Sequence, residues 1–95
     1  MFKDRVYAVV KKIPKGRIST YKIVARKLKT KAYRAIGNVL AKNRDKEVPC
    51  HRVIKSNGEL GGFRGKLNNK EKIRLLRKEG IKIKNNRIVD FEKLK

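Results

Sequence analysis

The chain has 95 residues, 29 of them Lys or Arg and 8 Asp or Glu, for a formal charge of +21. A hydrophobic share of 39% fills one modest core, so a fully disordered chain is excluded, and no apolar run approaches the ~20 residues of a membrane span. The segment after Met1-Phe2-Lys3-Asp4-Arg5 is not apolar enough for a secretory signal, and a single cysteine cannot close an internal disulfide. A cytoplasmic, monomeric protein of one domain, residues 1–95, is expected, with no membrane association. The cationic excess points to a polyanion, nucleic acid first. Heat-adapted surfaces enrich Lys together with Glu, and 8 acids are too few for that explanation.

In chain order, Phe2, Val6, Val9, Val10 and Ile13 recur at helical spacing and predict a helix over 3–13, ended by Pro14-Lys15-Gly16. Ser19 or Thr20 can cap a second helix, about 20–28, with Ile23, Val24 and Leu28 inward. Thr30 can cap a third, about 31–42, burying Ala35, Ile36, Val39 and Leu40. Two short helices separated by Lys29-Thr30 form a helix-turn-helix pattern.

A polar loop, Asn43 to Glu47, leads to Val48-Pro49-Cys50-His51-Arg52-Val53-Ile54 and then to a turn at Lys55-Ser56-Asn57-Gly58. The three glycines of Leu60-Gly61-Gly62-Phe63-Arg64-Gly65 suggest a close approach of the backbone to another group. Asn68 or Asn69 caps a last helix ending near Glu79, with Gly80 as its C-terminal cap. Ile81 to Val89 alternate around Asn85-Asn86 as a small hairpin. The expected fold is mainly α with small β, a winged-helix-like helix-turn-helix domain with a C-terminal hairpin.

Two segments carry chemistry. The third helix opens Lys31-Ala32-Tyr33-Arg34-Ala35, with small alanines that let the backbone approach a surface and Arg34 projecting from the same end. A free cysteine is usually a small buried hydrophobe, but Cys50 is followed by the only histidine, His51, the one side chain that titrates near neutrality and can raise the thiolate fraction. In an extended segment the two would point to opposite faces, so His51 is expected to reach the thiol through a bend or a bridging water. One Cys and one His cannot make a tetrahedral zinc set, so neither metal nor cofactor is expected.

Pro49-Cys50-His51-Arg52-Val53, preceded by Arg34-Ala35-Ile36-Gly37-Asn38 and Asn43, resembles the signature of the O6-alkylguanine-DNA alkyltransferases (methylated-DNA–protein-cysteine methyltransferases). Gly16-Arg17-Ile18-Ser19-Thr20-Tyr21 resembles the segment that opens that family's helix-turn-helix, and Leu60 to Gly65 its substrate loop. The resemblance covers residues 2–80. It implies DNA repair by stoichiometric transfer of an alkyl group from O6-alkylguanine, flipped out of double-stranded DNA approached through the minor groove, to the acceptor Cys50. It also implies that His51 deprotonates Cys50 through a water, oriented by Glu79, with Glu71 as the alternative.

By the same resemblance, Tyr21 holds the rotated phosphate and protonates the departing guanine. Arg34 fills the vacated stack, with Lys31, Ala32 and Ala35 beside it on the DNA. Asn43 ties the helix-turn-helix to the active-site turn, and Val53, Gly61, Gly62, Phe63 and Arg64 line the base pocket. The chain departs from the family at Arg44, where proline is usual, at Phe63, where tyrosine is common, and in lacking the N-terminal domain that longer members carry. Small relatives that flip the lesion without transferring anything share this size but replace the acceptor cysteine. A lesion-binding sensor and a plain helix-turn-helix DNA-binding protein are therefore the competing readings.

Overall fold

The computed structural model describes residues 1–62 and 69–95, so the expectations for Phe63, Arg64, Gly65 and the Asn68 cap lie outside the described residues. The elements are α1 (Phe2–Lys11), β1 (Ser19–Thr20), α2 (Tyr21–Lys27), α3 (Tyr33–Ala41), a 3-10 turn (Cys50–Arg52), β2 (Val53–Ile54), α4 (Lys70–Lys78), β3 (Ile83–Lys84), β4 (Arg87–Ile88) and α5 (Phe91–Leu94). The fold is mostly helical with small sheets, around a helix-turn-helix of α2 and α3.

Helices α1, α2 and α3 pack mutually and bury Val6, Val10, Val24, Leu28, Ile36 and Leu40, joined by Cys50 and Val53. A second cluster of Ile18, Ile54, Leu60, Leu76, Ile81 and Ile88 lies under α4 and the hairpin. The amphipathic spacing read from the sequence thus places most of the first core, as burial of one helical stripe requires.

Thr20 caps α2, its Oγ1 accepting from the Ile23 amide at 3.1 Å. That helix ends in a Schellman pair, Thr30 N–H to Ala25 O at 3.0 Å and Lys29 N–H to Arg26 O at 3.1 Å, with Lys29 left-handed at φ 57°. Thr30 therefore serves the turn, its Oγ1 accepting from the Ala32 amide at 3.1 Å, and α3 begins at Tyr33, later than expected. Lys31 and Ala32 stand in the turn before α3 rather than on its first turn.

Asn69 is the N-cap residue of α4, as expected, but its side chain makes no capping bond. Its amide side chain donates instead to Gly61 O at 3.0 Å and Asn86 Oδ1 at 2.8 Å. The C-terminal end of α4 follows expectation: Ile81 N–H reaches Leu76 O and Gly80 N–H reaches Arg77 O, with Gly80 at φ 87°. Asn85 and Asn86 are both left-handed (φ 51° and 61°), as a tight primed hairpin turn demands, and join antiparallel β3 and β4. Two elements have no counterpart in the sequence reading. One is the parallel pair β1–β2, Ser19 opposite Val53 and Thr20 opposite Ile54; the other is α5, whose Phe91 ring packs against Gly58.

Candidate active site

Three connections assemble the site. The β1–β2 pair holds Tyr21, the residue after β1, beside the 3-10 turn that precedes β2. Asn43, fully buried at the end of α3, donates through Nδ2 to Val48 O at 3.1 Å and accepts at Oδ1 from the Asp45 amide at 2.9 Å. The Val48 carbonyl also accepts from the Cys50 amide at 2.8 Å, so Asn43 connects the helix-turn-helix directly to the cysteine turn. The Schellman end of α4 makes Glu79 its C-cap and aims the carboxylate back at that turn.

Glu79 accepts from His51 Nε2 at 2.8 Å through Oε2, and from Arg52 through both oxygens, Nε to Oε1 at 2.9 Å and Nη2 to Oε2 at 2.8 Å. Arg52 Nη1 also donates to Ile13 O at 2.8 Å, closing the end of α1 over the turn. Glu71 instead lies on the surface, with Arg74 3.9 Å away. A C-terminal helix end disfavours a carboxylate, and the flanking guanidinium and imidazole offset this. Although burial opposes ionisation, the hydrogen bonds from Arg52 and His51 hold the Glu79 pKa down at about 2.

His51 is pushed below its ordinary value by burial, against the opposing pull of Glu79, so the imidazole is neutral at pH 7. An ionised carboxylate can only accept, so Nε2 carries the ring proton and Nδ1 is the free base nitrogen. Cys50 and His51 share one 3-10 turn, not an extended segment, so their side chains are not on opposite faces.

Cys50 is 6% exposed and borders the first core cluster. Tyr21 and Tyr7 lie within electrostatic reach of its sulfur. Burial and then the nearby cysteine push the Tyr21 phenol up, so it retains its proton. Tyr21 also lines a cavity of about 450 Å³ together with Lys22, Tyr33, Lys55, Ser56 and Asn57. The sulfur is thus nearly covered by the first core cluster, and the cavity is lined by Tyr21 but not by Cys50.

On the helix-turn-helix, Arg34, Lys31 and Ala32 are exposed and Ala35 is half-buried. Tyr33, not singled out from the sequence, is 45% exposed at the start of α3. Val53 is buried, Gly61 is left-handed at φ 70° with no protein atom nearer than 3.6 Å to a Cβ built there, and Gly62 is exposed. Gly61 is thus required by its backbone angle rather than by crowding. Sequence reasoning missed Arg52 as the Glu79 clamp, Tyr7 near the sulfur and the buried Lys72. Arg52 alone carried a signal, its place in the cysteine motif. No group of three or more His, Cys, Asp or Glu suited to a metal occurs among the described residues. Nor is any helix among them long and apolar enough to cross a membrane.

Residues 1–81 match the family described as 6-O-methylguanine DNA methyltransferase, DNA binding domain. The chain belongs to this family. Members of it take part in DNA repair, and curated relatives carry the corresponding names. A bifunctional methyltransferase/endonuclease of Picrophilus torridus is 46% identical over 85 residues, 87% of this chain and 28% of the relative. A methylated-DNA–protein-cysteine methyltransferase of Sulfolobus acidocaldarius is 43% identical over 83 residues, covering 86% of this chain and 51% of the relative. The chain thus spans about half or less of these two relatives.

Among solved structures, S. pombe Atl1 in complex with damaged DNA containing O6-carboxymethylguanine superposes at TM-score 0.79 and 30% identity, over 87% of this chain and 79% of that one. Mycobacterium tuberculosis OGT in complex with DNA gives TM-score 0.73 and 36% identity, over 82% of this chain and 48% of that one.

Proposed function

We propose that this chain repairs DNA by transferring an alkyl group, once per molecule, from O6-alkylguanine in double-stranded DNA to Cys50. The observation that carries this reading is the retained cysteine in one turn with His51, whose Nε2 is fixed by Glu79 at 2.8 Å so that Nδ1 is left as the base. Guanine O6 cannot be attacked inside the stack, so the nucleotide must rotate out, at a cost of a few kcal/mol. Arg34 enters the vacated stack, its planar guanidinium suited to stacking on bases while its edge meets phosphate. Lys31, Ala32 and Ala35 lie along the minor groove.

Tyr21 meets the rotated phosphate. The base enters past Tyr21 toward Cys50, between the Val53 backbone and the segment at Gly61 and Gly62. His51 accepts the thiol proton through a water. The sulfur attacks the alkyl carbon, the carbon–O6 bond breaks, and Tyr21 supplies a proton to the departing guanine. The proton gained by His51 then restores the phenol. The products are guanine and a thioether, with no cofactor consumed. The work belongs on chromosomal DNA in the cytoplasm.

Intact-mass measurement after mixing with a duplex containing one O6-methylguanine tests this: Cys50 gains one methyl group in place of its proton. Tight lesion binding without that gain supports a damage sensor instead. The observation favouring a sensor is that S. pombe ATL, solved in complex with DNA, matches this chain nearly end to end, over 98% of this chain and 92% of that one at TM-score 0.79 and 28% identity. The retained Cys50 supports transfer over sensing, since chemistry follows the site rather than the outline.

Arg34→Ala is expected to lower affinity for lesion-bearing duplex by about 1–3 kcal/mol while changing undamaged-duplex affinity far less, as fluorescence anisotropy on matched duplexes would show. Equal losses would reduce Arg34 to a phosphate contact.

A further inference from the structure

Lys72 is the largest fully buried side chain of the described residues, at 1% exposure. Its ammonium donates to Val53 O at 2.8 Å, Leu60 O at 2.7 Å and Gly62 O at 3.3 Å. Three N–H groups thus meet three carbonyls, and among the described residues no carboxylate lies within ion-pair distance. Burying a cation without a counter-ion is costly, and core packing alone would be served better by an apolar residue. Burial pushes the amine down to about 8, which leaves it mostly protonated at pH 7.

The three carbonyls belong to two segments. Val53 follows the Cys50 turn directly, whereas Leu60 and Gly62 open the glycine loop. Asn69 holds the same loop at Gly61 O from the outer side. The ammonium also lies within electrostatic reach of both Cys50 and His51.

We infer that Lys72 is a positioning residue that fixes the glycine loop against the cysteine turn, setting the width of the slot into which an extruded purine fits. This rests on the reading of Cys50 as the acceptor beside a flipped guanine, since the two tied segments are the walls of that slot. An ammonium suits the task because one atom can satisfy three carbonyls from different directions at once. The carbonyls are then turned inward to nitrogen, and the two segments cannot part without orphaning a buried charge.

The test compares Lys72→Met with the parent chain, both in a Cys50→Ala background for equilibrium binding and with Cys50 intact for single-turnover transfer. The probes are an undamaged duplex and the same duplex carrying one O6-methylguanine. Affinity for undamaged duplex should stay within about twofold, preference for the lesion should fall about tenfold, and the transfer rate about 100-fold, as for a reacting group displaced by roughly 1 Å. Val6→Ala, a core truncation in α1, should lower stability and leave lesion preference unchanged. Equal loss on both duplexes, or the same loss of preference in Val6→Ala, would overturn the assignment.

If Lys72→Met does not fold, the parent chain decides by nitrogen-15 NMR of lysine ammonium groups. A slowly exchanging Lys72 signal should shift on adding lesion duplex but not undamaged duplex; a fast-exchanging signal, or one indifferent to the lesion, overturns the role. A parent chain that prefers the lesion but gains no methyl group refutes transfer while leaving the Lys72 assignment standing.

Discussion

Glu79→Gln is expected to destabilise the fold by on the order of 3 kcal/mol at pH 7, with the deficit vanishing as the solution is acidified. The carboxyl sits at about 2 in the folded chain against an ordinary value of 4.5. A depressed folded-state value means the contribution is fully present above about 4.5 and is lost as pH falls through 2. Glutamine keeps an acceptor for His51 Nε2 but leaves the Arg52 guanidinium, 15% exposed and anchored to Ile13 O, without its counter-charge. His51, depressed by burial, adds an acid-driven loss of its own as pH falls below its ordinary value of 6.5. Urea titrations of both proteins between pH 2 and pH 7 check this, and a deficit independent of pH would show that the pair does not act through charge. Small domains hold about 5–15 kcal/mol in all, so the effect is a large share of stability.

Cys50→Ser should abolish alkyl transfer while retaining most of the lesion affinity. The substitution is nearly isosteric, but a hydroxyl has no accessible anionic form near neutral pH, and His51 alone does not make it a nucleophile toward an alkyl carbon. Mass spectrometry should find no methyl gained over hours in the variant and complete modification of the parent at one equivalent of lesion. Anisotropy should place the two lesion affinities within about threefold, a difference below 1 kcal/mol. Transfer by the serine variant would remove the sulfur from the reaction, and loss of all lesion affinity would make Cys50 a packing residue.

The helices illustrate what local sequence carries. Val6, Val10, Ile36 and Leu40 lie on inward stripes because helical periodicity is local, and the order of Thr20 before α2 and Gly80 after α4 marks helix ends for the same reason. The Asn85-Asn86 turn is legible because few residues accept left-handed backbone angles. The α3 start and the orientation of the Asn69 side chain are not legible locally, because the Thr30 hydroxyl accepts from the Ala32 amide within the turn and Asn69 Nδ2 donates to the distant Gly61 and Asn86 oxygens. Two-residue strands offer no alternation to read, so the β1–β2 pair left no trace in the sequence.

By itself, the sequence determined the chemistry on offer: one thiol, one imidazole next to it, a cationic helix-turn-helix and the family to which they belong. Tertiary structure alone decided which carboxylate serves His51, because the choice between Glu71 and Glu79 depends on the direction in which the end of α4 points. It also decided which cations among the described residues are not surface charges. Arg52 and Lys72 look like any other basic residue in the chain, and only the packing of distant backbone carbonyls around them, at Ile13 and at Val53, Leu60 and Gly62, gives each a specific place. Local periodicity is written within a few residues, whereas desolvation and charge pairing depend on atoms that only folding brings together.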